Sequence, residues 1–86
     1  MLSIEKRQEL IRRLRKIEGQ TQGIQRMLLD ERDCREILNQ LASVRAATRQ
    51  VSLELTKSYL LACVNHPECL DSEEAVGDVI NIILRV

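Results

Sequence analysis

Tryptophan and phenylalanine are absent from this chain, and Tyr59 is its only aromatic residue. The apolar content is therefore almost wholly aliphatic, which suits helix packing better than an aromatic-rich sheet. There is no net charge: thirteen basic and thirteen acidic residues cancel, so overall charge gives no argument for nucleic acid and only the distribution can. No apolar run approaches the roughly 20 residues needed to span a bilayer, and MLSIEKRQEL lacks the apolar core of a signal peptide. A cytosolic protein with no membrane partner is expected. There is no C-x-x-C motif, no strand pattern for a thioredoxin-like fold and no evident general base near Cys34. A thiol oxidoreductase or peroxidase is thereby disfavoured, and no enzyme activity is expected. A helical scaffold without a switch remains an alternative, in which replacing the cysteines would change nothing.

What is present is a short chain with uneven charge. At 86 residues it forms one domain over 1–86, in the size range where a lone core is marginal and oligomerisation is a common remedy. Between Lys6 and Arg26 there are seven Lys or Arg against two Glu, whereas Glu68 to Asp78 carries five acids and no Lys or Arg. The three cysteines, Cys34, Cys63 and Cys69, are an odd number. In a reducing compartment they read as metal-binding or redox-sensing thiols before they read as a disulfide framework.

The periodicity predicts an all-α chain of three helices. The first covers about Ser3 to Leu29, with Leu10, Ile17 and Ile24 repeating every seven residues and Ser3 as N-cap. Gly19 and Gly23 fall inside it, where each costs up to about 1 kcal/mol relative to Ala; close backbone packing explains them, and a loop is the competing reading. Asp33 is the candidate N-cap of a long central helix from Cys34 to about Val64, whose apolar residues are Ile37, Leu38, Leu41, Val44, Val51 and Leu55. Asn65-His66-Pro67 ends it. A short third helix fits Ser72 to Leu84, capped by Ser72, with Val76, Val79, Ile80 and Ile83 as its apolar face.

Cys34 and Cys63 are 29 residues apart, which on an unbroken helix is on the order of 43 Å. They cannot touch within one chain. At about 100° per residue, 29 steps make eight turns plus roughly 20°, so both point nearly the same way. Two antiparallel copies about a two-fold axis would set Cys34 of one beside Cys63 of the other, making two equivalent sites. Two small buried hydrophobes are the bland alternative. Cys34 lies in the first helical turn, where the dipole favours the negative thiolate.

The segment Arg13-Leu14-Arg15-Lys16-Ile17-Glu18-Gly19-Gln20 resembles the R-L-x-x-x-x-G-Q/H signature of CsoR/RcnR-family repressors. Gly23-Ile24, Met27-Leu28, Cys34 and Ile37-Leu38-Asn39-Gln40-Leu41-Ala42-Ser43-Val44 look like its continuation, so the likeness runs over essentially the whole chain. The resemblance implies a homodimer of antiparallel helices that pairs into a disc-shaped homotetramer. Such a protein binds operator DNA and is released when its inducer reaches the intersubunit cysteine site. Copper-sensing members have a His four residues before the second Cys, where this chain has Tyr59, and the N-terminal His of nickel and cobalt sensors has no match at Leu2 or Ser3. A phenol is a poor substitute for imidazole on Cu(I). Cys34 and Cys63 without that His look like the CstR-type branch, which senses persulfide and polysulfide by linking two cysteines and requires no cofactor. Cys63-x-x-His66-x-x-Cys69 keeps a metal alternative open: with a neighbour's Cys34 it offers enough N and S donors for Cu(I) or Zn²⁺. Cys69 could equally act as a resolving thiol.

The basic face comprises Arg12, Arg13, Arg15 and Lys16 on the first helix and Arg45 and Arg49 on the second. Alone, such a run reads as a solvated face; the resemblance implies that it contacts operator DNA. No helix-turn-helix, zinc-finger or basic-zipper pattern is visible, so a broad basic surface is expected. Gln50 stands where copper-sensing relatives often have an Arg, with Arg49 beside it.

Overall fold

The structure, a computed structural model, describes residues 2–66, 68 and 72–85. It contains three helices: α1 (Ile4–Leu29), α2 (Cys34–Asn65) and α3 (Glu73–Leu84). There is no strand among the described residues. The caps follow the sequence pattern, since Ser3 Oγ accepts from the Lys6 amide at 3.0 Å and Ser72 Oγ from the Ala75 amide at 3.1 Å. Each satisfies a first-turn donor that the helix itself leaves unpaired. Asp33 plays the same part more loosely, its carboxylate accepting from the Arg35 amide at 3.4 Å.

The chain divides into two compact units, one of Ser3–Val51 and one beginning at Ser52 and carrying α3. In the first, Leu10, Ile17 and Ile24 of α1 are buried, as are Ile37 and Val51 of α2. The seven-residue repeat thus marks the inner stripe. Gln20 Nε2 donates to Ser43 Oγ at 3.4 Å across the helix pair. Counting antiparallel from that contact sets Lys16 opposite Ala47 and Arg12 opposite Val51.

One alternative is corrected here. α1 continues through Gly19 and Gly23, so the loop reading is wrong. Among the described residues nothing packs against them: a Cβ at either glycine would meet nothing within 4 Å. The turn after α1 was also not foreseen as a motif. Arg32 donates its amide to the Met27 carbonyl at 3.0 Å and Glu31 to that of Leu28 at 3.2 Å, with Glu31 at φ 55°. This is a Schellman closure built without glycine, and a left-handed non-glycine residue costs about 1–2 kcal/mol. Glu31→Gly removes that clash and adds backbone entropy to the unfolded chain. A net gain of about 0.5–1 kcal/mol in urea unfolding is expected.

In the second unit, the end of α2 and α3 enclose a cleft of about 400 Å³, lined by Leu55, Thr56, Tyr59, Ala75, Asp78, Val79, Ile82 and Ile83. The apolar face expected on α3 is only half covered: no α3 residue is buried, and Ile80 is 49% exposed. Leu28, Leu38 and Leu41 in the first unit are likewise exposed.

Candidate functional site

Cys34 is the first residue of α2, and its thiol is free and exposed. It sits between Arg32 and Glu36, an exposed ion pair spanning the helix start. Placement at a helix N-terminus gives the sulfur a positive dipole end on one side and open access on the other. None of the described residues covers it, so the group is open to a second molecule.

Cys63 is its opposite in environment. It lies near the end of the same unbroken helix, is 7% exposed, and is disulfide-bonded, so chemistry at its sulfur begins with reduction. It lines a second cleft with Ser58, Tyr59, Leu61, Ala62, Asn65 and His66. Cys63 and His66 are three residues apart at the helix end and therefore share a side of it. The His66 ring nitrogen Nδ1 stands 3.6 Å from the Glu68 carboxylate, both groups largely exposed. Tyr59 lines this cleft and the one against α3. Among the described residues no three His, Cys, Asp or Glu side chains of one chain converge on a point. Cys69, named for the metal alternative and as a resolving thiol, lies outside the described residues.

Arg12, Arg13, Arg15, Lys16, Arg45 and Arg49 are all exposed and all belong to the Ser3–Val51 unit. The antiparallel count from Gln20 and Ser43 sets Arg49 opposite Leu14 and Arg45 opposite Glu18, so the six occupy the same stretch of the helix pair. They are not equivalent around α1. Taking Ile17 as the inward direction, Arg15 is turned about 160° away and Arg12 about 140°, whereas Arg13 is only about 40° off. Arg13 is also the one that is paired, donating to Glu9 Oε1 at 2.8 Å. Glu9 was not singled out in the sequence, although its spacing four residues before Arg13 is the signal for such a pair. The Gln20–Ser43 contact carried no comparable signal.

Residues 6–85 match the family described as metal-sensitive transcriptional repressor. The chain belongs to that family. It is a family of transcriptional regulators, not of enzymes. This repressor is 33% identical over 84 residues to the copper-sensing transcriptional repressor CsoR of Bacillus subtilis (strain 168), covering 96% of this chain and 83% of CsoR. It is 42% identical over 53 residues to the copper-sensing transcriptional repressor RicR of Mycobacterium tuberculosis (strain ATCC 25618 / H37Rv), covering 62% of this chain and 55% of RicR. In fold it is similar to the crystal structure of the copper-sensing repressor CsoR with Cu(I) from Geobacillus thermodenitrificans NG80-2. The TM-score is 0.81 at 31% identity, over 99% of this chain and 90% of that one. None of these three is described as a persulfide sensor. The family expectation stands, and the balance between the two inducers moves towards metal.

Proposed function

We propose that this repressor binds operator DNA as a homotetramer and is released by Cu(I) or another soft metal ion. The ion would be held by Cys34 of one subunit and Cys63 of its neighbour, once Cys63 is reduced, with His66 or Cys69 completing the donor set. The observation that carries this reading is that His66 lines the same cleft as Cys63. It offers the imidazole that the resemblance expects at position 59, where this chain has a phenol. Thiolates and an imidazole form a soft donor set that suits Cu(I). Bound there, the ion supplies a crosslink between two subunits' thiolates. The half-covered aliphatics of α3 and the exposed Leu28, Leu38 and Leu41 supply apolar surface for the assembly. The exposed arginines and Lys16 of the first unit supply the DNA-facing charge.

Tyr59 favours a second reading, in which the inducer is sulfane sulfur. The Cys34 thiolate takes a sulfur atom from a polysulfide, which leaves one sulfur shorter. The neighbour's Cys63 thiolate then attacks the Cys34 sulfur, forming a disulfide and expelling hydrosulfide. Anaerobic titration of the reduced protein on operator DNA separates the two. Cu(I) is expected to weaken DNA binding about 5- to 150-fold, the usual span of allosteric coupling, and His66→Ala to reduce that effect. If Cu(I) leaves DNA affinity unchanged while polysulfide yields a Cys34–Cys63 crosslinked dimer by mass, the metal reading is wrong.

A further inference from the structure

The basic residues of α1 differ in whether they already have a partner. Glu9 stands one turn before Arg13 and binds it at 2.8 Å, and the same carboxylate lies 3.6 Å from Lys6. Arg12, Arg15 and Lys16 make no ion pair among the described residues, and Arg12 and Arg15 point away from the inner stripe. A phosphate approaching this surface therefore meets Arg12, Arg15 and Lys16 ready to bind, but must take Arg13 from an internal carboxylate.

We propose that Glu9 is a positioning residue for DNA binding: it holds Arg13 in an internal ion pair that a DNA phosphate has to displace. The proposal rests on the DNA-binding reading given above. The side chains of Arg13 and Glu9 are 43% and 38% exposed, so the pair is water-screened and easily exchanged. It acts as a moderate brake and not as a lock. It also alters the salt dependence. A free arginine that neutralises a phosphate releases condensed counterions into solution. When Arg13 moves from Glu9 to a phosphate, Glu9 keeps only its longer contact with Lys6 and draws cations back to itself, which offsets part of that release.

Glu9→Gln keeps the size of the side chain and removes the competing charge. On a short duplex of arbitrary sequence, the full-length variant is expected to bind about two- to fivefold more tightly at low salt, from the usual strength of exposed ion pairs. Its log–log salt slope should steepen by about 0.9 for each Arg13 newly engaged. In an Arg13→Gln background both gains should vanish, which separates release of Arg13 from a general loss of negative charge. Equal gains with and without Arg13, or no gain when Arg13 is present, overturn the proposal. The triple variant Arg12→Gln/Arg15→Gln/Lys16→Gln tests the underlying reading independently. If it binds DNA like the parent, the DNA surface is misplaced and the proposal falls with it; if it loses DNA while Glu9→Gln gains nothing, the brake alone is wrong.

Discussion

Replacing Cys34 by Ser is expected to give a repressor that holds its operator but no longer releases it. The substitution changes one atom on an exposed side chain at a helix start, so stability should stay within about 0.5 kcal/mol of the parent. The basic residues are untouched, so affinity in the absence of inducer should be unchanged as well. What disappears is the differential interaction of inducer with two states of the assembly. An effector that cannot tell two states apart shifts nothing between them. The expected coupling of about 5- to 150-fold should fall to none, measured as the ratio of operator affinities with and without Cu(I). Cys63→Ser should give the same loss of response, with some added cost because that site is buried. A Cys34→Ser protein that still lets go of DNA on adding Cu(I) would remove this residue from the sensing site.

The triple variant Arg12→Gln/Arg15→Gln/Lys16→Gln should have the second large effect, on affinity itself. All three side chains are exposed on a helix whose buried residues are Leu10, Ile17 and Ile24. Their removal should leave the helical circular dichroism and the unfolding midpoint close to the parent's. Hydrogen bonds to charged groups contribute about 1.5–3 kcal/mol each, so losing three should lower operator affinity on the order of a thousandfold or more. The salt slope should fall by about 0.9 for every phosphate contact removed. A matching loss of affinity with an unchanged slope would mean that these residues support the protein's shape and do not meet phosphates.

The helices were legible in the sequence because cap residues and aliphatic spacing agreed at their starts. Ser3 and Ser72 are cap residues, and the aliphatics that follow keep helical spacing. The turn at Glu31 was not legible, because a left-handed residue is recognised in sequence by glycine or asparagine and this one is a glutamate. Gly19 and Gly23 are legible only in part: glycine in a helix suggests a close neighbour, and none is supplied by the described residues of the same chain. The basic cluster could be read as a list of residues but not as a surface. Arg12 and Arg13 are adjacent in sequence yet point about 100° apart, and only one of them is paired. The inducer was the least legible feature. The site proposed for it is divided between Cys34 at one end of α2 and Cys63 and His66 at the other, so no local motif contains all the proposed donors.

Tyr59 lines two clefts of the second unit, the one holding Cys63 and the one against α3. It is also the only aromatic residue in the chain. All intrinsic ultraviolet fluorescence of the protein therefore comes from one side chain that shares a cleft with Cys63, the cysteine proposed for sensing. No label or engineered tryptophan is needed to follow events there: quenching or a change in anisotropy of this emission can be assigned to a single position without deconvolution.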